Sequence, residues 1–265
     1  MSALKEARVA EEILCSIHEG IATITLNRPE KRNAMNTAVL EGLEHYFGEL
    51  ETNTDVRAII VRGEGKAFCA GLDLRELNAR QQSDEDAETG IIELLGKIET
   101  SRHPTIAMVQ GDALAGGCEL ALHCDLRVVS EVARFGMPLA RLGLIVPFRL
   151  GQKLVEIVGP AFTKQILLTG QPVNAQRAYE IGMVHQLVSA DELEAATLAL
   201  ARTIAANAPL SLAGMKKSIL RMISLRDNID SDDLNTLVRQ ARKSEDANEG
   251  VRAMLEKRAP RFRGV

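Results

Sequence analysis

Apolar and polar residues alternate from Ile13 to His18 and again from Ile21 to Leu26, with Glu19-Gly20 between them. That pattern predicts a β-hairpin. Val39, Leu40, Leu43, Phe47 and Leu50 recur at helical spacing, so a helix capped by Asn36 or Thr37 is expected to run to about Leu50. Short apolar runs at Val56–Val61 and Thr105–Val109 predict buried strands, stopped by Arg62-Gly63-Glu64-Gly65 and by Gly111. Asn78 to Gly90 is polar and acidic. It reads first as a solvated loop or helix start, with a mobile lid as the functional alternative. From Pro160 onward the pattern turns mostly helical, over Glu192–Asn207, Leu210–Leu225, Asp232–Ala247 and Ala247–Lys257. The first of these stops before Ala208-Pro209, as the constraint on residues preceding proline requires. A mixed α/β core through about residue 190, followed by a helical layer, accounts for these signals.

Composition narrows the classes. The 265 residues, 46% hydrophobic and 26% charged, suffice for a large core and exclude disorder, collagen and coiled coil. With no Trp, 2 Tyr and 6 Phe, there is little for base stacking. A net charge of -4 carries no bulk nucleic-acid footprint, although a local patch can still hold a small anion. Lys216, Lys217, Arg221 and Arg226 suggest a basic helix, read here as a solvated face in preference to an RNA surface. No apolar run approaches the roughly 20 residues that span a bilayer, and Met1 to Ile13 lacks a signal-peptide core. Four scattered cysteines read as reduced thiols, so a soluble, cytoplasmic protein is expected. Cys118, His123, Cys124 and Asp125 match no zinc spacing, and no metal is expected. Asp125 is assigned to tethering a helix end to the strand Leu126–Val129, and His123 to the core or a subunit interface.

No phosphate-binding P-loop, no dinucleotide-binding glycine fingerprint and no nucleophile elbow are present. Two small-residue turns carry the chemistry instead. Lys66 to Leu74 follows a strand and lets backbone approach a ligand at Ala70-Gly71, although a plain strand-to-helix turn capped by Asp73 fits as well. Gln110 to Leu122 enters a helix at Gly116-Gly117, where free N–H groups and the helix dipole favour an anion. Glu119 lies in that helix's first turn, as a dipole-stabilising residue or as an acid/base.

Together these turns resemble the crotonase, or enoyl-CoA hydratase/isomerase, superfamily. The likeness is carried by Leu26-Asn27-Arg28-Pro29-Glu30-Lys31-Arg32-Asn33-Ala34-Met35-Asn36, Phe68 to Leu74, Gly111 to Leu122, Arg134 to Pro138, and Arg261-Phe262-Arg263. The resemblance implies an α/β fold, a crotonase-like spiral of β-β-α turns with a C-terminal helical trimerisation region. Residues 1–200 would form the acyl-CoA-binding core and 201–265 the trimerisation region of a homotrimer or dimer of trimers. It implies an acyl-CoA thioester substrate, with coenzyme A part of the substrate and no separate cofactor. The backbone N–H groups of Leu72 and Gly116 would form the oxyanion hole, and Glu119 would be the acid/base. Arg28, Lys31, Arg32, Ala34, Ala70, Gly71, Asp73, Leu74 and Arg75 would meet the substrate. Arg263 would do so too, across a subunit boundary.

One departure stands out. The family's hydratases typically place a second glutamate after the Phe-Gly-x-Pro element, where this chain has Leu139. Three readings follow: hydration or lyase chemistry by Glu119 alone; decarboxylation, hydrolysis, isomerisation or another enolate reaction; or an acyl-CoA-binding paralogue that turns over weakly. Arg141 and Arg149 stand near the expected pocket and are assigned to salt bridges.

Overall fold

A computed structural model describes residues 11–76, 89–223 and 232–263, without the side chain of Thr89. All but the end of the acidic segment beginning at Asn78 lies outside these residues, as does Arg226.

Strands β1 (Ile13–His18) and β2 (Ile21–Leu26) pair antiparallel, from Ile13 opposite Leu26 to His18 opposite Ile21. Glu19 and Gly20 both take positive φ, 51° and 75°, as a two-residue hairpin turn with native twist demands. Helix α1 (Thr37–Thr52) begins at Asn36, whose Oδ1 accepts the Val39 N–H at 3.0 Å. Strand β3 (Ala58–Gly63) starts two residues later than the apolar run suggested. Val56 and Arg57 donate instead to Asn53 and Gly20 carbonyls, closing a turn before the strand opens.

Helix α2 (Thr89–Thr100), β4 (Thr105–Val109), β5 (Ala113–Leu114), α3 (Gly116–His123), β6 (Leu126–Ser130) and β7 (Arg134–Gly136) follow. A 3-10 turn at Pro138–Leu142 leads to α4 (Phe148–Thr169), which kinks at Gly159, φ 70°, before Pro160. Then come β8 (Val173–Asn174), α5 (Ala175–Glu180), β9 (Gln186–Val188), α6 (Leu193–Ala205) and α7 (Pro209–Ile223). Helices α8 (Asp232–Lys243) and α9 (Glu245–Leu255) close the order. They divide at Ser244, whose extended backbone and hydroxyl cap α9 through the Ala247 N–H.

The main sheet has the order β1-β2-β3-β4-β6-β9, parallel throughout except for the hairpin. A small sheet β5-β7-β8 stands beside it. Ala58 to Val61 of β3 and Ile106 to Val109 of β4 are unbroken apolar runs because both faces of the sheet are covered there. One face packs against α1 to α4 around Phe68, Leu95 and Leu120. The other packs Ile60, Ile106 and Val128 against Leu193, Ala201 and Ile204 of α6. Residue 200 therefore falls inside a helix that completes the core.

Lys216 departs from the expected solvated helix face. It is buried, and its ammonium donates to Asp125 Oδ2 at 2.7 Å and to the His103 carbonyl at 3.2 Å. An exposed lysine here would leave the Asp125 carboxylate short of a cation in a desolvated seam. Asp125 also accepts the Thr105 N–H and hydroxyl, and so performs the expected tethering. Among the described residues the four cysteines are free, no helix is long and apolar enough to cross a membrane, and no metal-binding group is found.

Candidate active site

The loop after β2 is built from within. Asn33 adopts positive φ, 55°, and is 1% exposed. Its amide donates to the Glu64 and Ala67 carbonyls and its Oδ1 accepts the Arg28 N–H. The Arg28 guanidinium is buried and committed to the Ala34 carbonyl at 2.5 Å and to Asp73 Oδ2 at 3.3 Å. Arg28 thus fixes the two loops against each other. Asp73 also accepts the Arg75 N–H, forming the capped turn foreseen as one reading of this segment.

These contacts set the two amides. Met35 bridges the Leu72 position as a parallel partner, its N–H donating to the Gly71 carbonyl and its carbonyl accepting from Asp73. In such a bridge the central residue's own N–H points away from its partner. Gly116 opens α3, where the first N–H groups have no intrahelical acceptor. Among the described residues neither the Leu72 nor the Gly116 N–H is spent on a backbone carbonyl. The helix entrance is tightly drawn: Ala115 takes φ 48°, and a β-carbon on Gly117 would lie 2.1 Å from the Cys69 carbonyl oxygen. Only glycine lets α3 start there.

Glu119 is completely buried, and among the described residues neither carboxyl oxygen has a hydrogen-bond partner. Burial raises its pKa well above the ordinary 4.5, opposed only by the charge of Lys153. One turn on, His123 Nδ1 lies 2.8 Å from the Glu119 carbonyl and 3.7 Å from Glu119 Oε2. Burial pulls the His123 pKa down to about 4.

Glu119, Leu72, Gly116 and Leu139 line one cavity of about 650 Å³. Leu142, Leu144, Pro147 and Leu150 extend its wall as an apolar stretch, while Lys31, Arg32 and Arg75 contribute cationic side chains elsewhere. The sequence model of the enoyl-CoA hydratase/isomerase family matches residues 16–265. The chain belongs to that family.

Its relatives agree with this. A probable enoyl-CoA hydratase of Mycobacterium bovis is 36% identical, over 95% of this chain and 98% of its own. A 2,3-dehydroadipyl-CoA hydratase of Escherichia coli is 33% identical, over 96% and 99%. Among solved structures, a methylmalonyl-CoA decarboxylase in complex with 2-nitronate-propionyl-CoA superposes with a TM-score of 0.88 at 28% identity, covering 96% and 99%. An enoyl-CoA hydratase/isomerase from Xanthobacter autotrophicus gives 0.85 at 33%, covering 96% and 99%. The protein is thus an enzyme of the crotonase superfamily, with the α/β crotonase fold.

Within this crotonase fold the residues singled out from sequence divide. Lys31, Arg32, Ala34, Ala70, Leu72, Asp73, Leu74, Arg75, Gly116, Glu119 and Leu139 line the cavity. Arg28 lines it too, but its charge is held by Asp73. Gly71 sits behind the wall, against Ala115. Arg32 is paired with Asp112, which Arg134 also grips at 2.7 Å. Those cations, the Arg134 hydrogen bond first, hold the Asp112 carboxyl below its usual range. Arg263 lies away from the cavity and pairs with Glu245. Three contributors went unseen in the sequence. Met254 and Leu255 of α9 close the cavity, and Arg127, buried in β6, caps the end of α3 through the Ala121, Leu122 and Cys124 carbonyls. A basic residue just past a helix end was the available signal for Arg127.

Proposed function

We propose that this enzyme adds water to an enoyl-CoA, with Glu119 as its one acid/base and the Leu72 and Gly116 amides as the oxyanion hole. The observation that supports this most is the Glu119 carboxyl, buried without a hydrogen-bond partner in the wall it shares with those amides. The thioester carbonyl would accept both N–H groups, which strengthen as negative charge gathers on its oxygen. Ionised Glu119 takes a proton from water as the water oxygen bonds to Cβ. The enolate then collapses, and Glu119 returns that proton to Cα. Water is added with no net change in the protein. A raised pKa makes Glu119 a stronger base once ionised. Leu139 supplies no second carboxylate, so one group handles both transfers.

The apolar stretch from Leu142 to Leu150 suits a hydrocarbon acyl chain, and Lys31, Arg32 and Arg75 suit the coenzyme A phosphates. No cofactor beyond that coenzyme A is called for. Leu210, Met215, Ile219 and Met222 leave an apolar strip exposed on α7. Such a strip supports assembly through this helical region, as a trimer or dimer of trimers in the cytoplasm. The test is to incubate the protein with crotonyl-CoA and follow mass. Gain of one water, lost in Glu119→Gln, supports hydration.

Decarboxylation is the second reading, supported by the structural likeness to methylmalonyl-CoA decarboxylase. A substrate carboxylate pressed against Leu139 would be poorly solvated, and loss of carbon dioxide would leave an enolate for the same two amides. Carbon dioxide release from methylmalonyl-CoA, without water addition to crotonyl-CoA, would select it.

A further inference from the structure

A second cavity, also of about 650 Å³, lies behind the first. Leu150 lines both, and His123 lines only the second. Glu119 and His123, four residues apart and so neighbours on one face of α3, lie 3.7 Å apart at Oε2 and Nδ1, with Glu119 lining the first cavity and His123 the second. The second cavity has a charged part to its lining, taking Glu99 from α2 and Arg149, Lys153 and Glu156 from α4.

We infer that His123 is a relay that exchanges the Glu119 proton with solvent through the second cavity. This rests on the acid/base role proposed for Glu119. Hydration itself closes without such a route, since Glu119 returns to Cα the proton it takes from water; what favours the relay is geometry. An acyl-CoA filling the first cavity would seal the front of a carboxyl that already has no hydrogen-bond partner.

The step balances. The Glu119 O–H breaks as Nδ1–H forms, while Nε2–H breaks to a solvent water. Glu119 becomes a carboxylate, water becomes hydronium, and the imidazole stays neutral with its tautomer exchanged. The resulting Nδ1–H is the form that donates to the Glu119 carbonyl at 2.8 Å. Reversal reloads the acid. The side-chain gap of 3.7 Å closes by small rotations of two groups, since reacting pairs tighten on binding. Glu99, Lys153 and Arg127 are the charges that face the ring. Burial holds the imidazole neutral across the working range, so protons pass through it and are not stored.

Hydrogen exchange at Glu119 tests the relay without turnover. In acid, where Glu119 is protonated, its carboxylic C=O infrared band is assigned by its loss in Glu119→Gln. Its shift is then timed after mixing into D2O, with and without butyryl-CoA. His123→Leu and His123→Gln are each expected to slow the shift at least tenfold, most of all with butyryl-CoA bound. His123→Gln retains an amide that can donate to the Glu119 carbonyl, so a purely structural histidine would leave its rate at the wild-type value. Wild-type rates in a folded His123→Gln protein would overturn the proposal. Calorimetry separates the two readings. If butyryl-CoA does not bind, the acyl-CoA assignment fails, and the unliganded rates still decide the relay.

Discussion

Gly71 and Ala115 meet back to back beneath the two amides: a β-carbon on Gly71 would stand 3.0 Å from the Ala115 β-carbon and 3.2 Å from the Gly116 nitrogen. Gly71 also holds φ at 100°, which other residues rarely adopt. The spacing of the two amides proposed as oxyanion donors, Leu72 and Gly116, therefore depends on the absence of one methyl group. Gly71→Ala should spread them and lower kcat by about 10²–10³, the range for losing an oxyanion donor. KM should change far less. A steady-state comparison with crotonyl-CoA checks this split.

The buried carboxyl of Glu119 sets a pH dependence of stability. Its folded pKa lies above the ordinary 4.5, so the folded state binds more protons than the unfolded one over the interval between the two values. Stability then falls as pH rises from 4.5 through the folded pKa. Glu119→Gln should remove that loss, giving a Tm that exceeds wild type at neutral pH and converges with it near pH 4. Calorimetric scans across this range measure the difference.

His123 acts in the opposite sense. Its pKa falls from 6.5 to about 4 on folding, so the unfolded chain binds the proton first. The stability it contributes is present above 6.5 and is lost as pH drops through the folded value. His123→Gln should flatten the acid side of the Tm profile while leaving the alkaline side alone. His185 and His103, also lowered by burial, titrate the same way and contribute to the slope that remains.

Leu139 lines the cavity with Glu119. Leu139→Glu would set a second carboxylate in that wall, and like charge disfavours ionisation of the first. The acid limb of kcat/KM should move to higher pH, by about one unit or more for carboxylates sharing a site. An unmoved limb would mean that the new side chain turns out of the cavity.

Lys216→Met should loosen α7 from the core. Asp125 would keep its two Thr105 donors but lose its cation, at a cost of about 1–3 kcal/mol. Urea melts report the loss. Asp125→Asn in the same background should recover part of it, because the uncompensated charge disappears.

Much of this architecture can be read from local pattern. The hairpin is legible because Glu19-Gly20 interrupts two alternating strands, and α1 because Asn36 precedes an apolar stripe. Glu119 stands out as a carboxylate in an apolar first turn, but position alone leaves it between a dipole-stabilising residue and an acid/base, and the family resemblance is what implies the second. What escapes local pattern depends on distant partners. Lys216 looks like a surface lysine until Asp125, 91 residues away, is brought beneath it. Arg28 reads as a substrate contact until Asp73 takes its charge. The late start of β3 depends on the Gly20 carbonyl of the distant hairpin turn, which takes the Arg57 N–H.

Helix α9 reaches the cavity because Gly250 packs on Leu142 so closely that a β-carbon there would lie 2.5 Å from the Leu142 carbonyl. Met254 and Leu255 follow into the wall. The turns proposed to carry the chemistry are complete by residue 119, yet the cavity beside them lacks part of its wall until residue 255 is made. The parallel sheet is complete in sequence by Val188, and the proposed acyl site gains its last wall only with α9. A chain cut between α8 and α9 should therefore keep the sheet's spectroscopic signature while losing affinity for acyl-CoA.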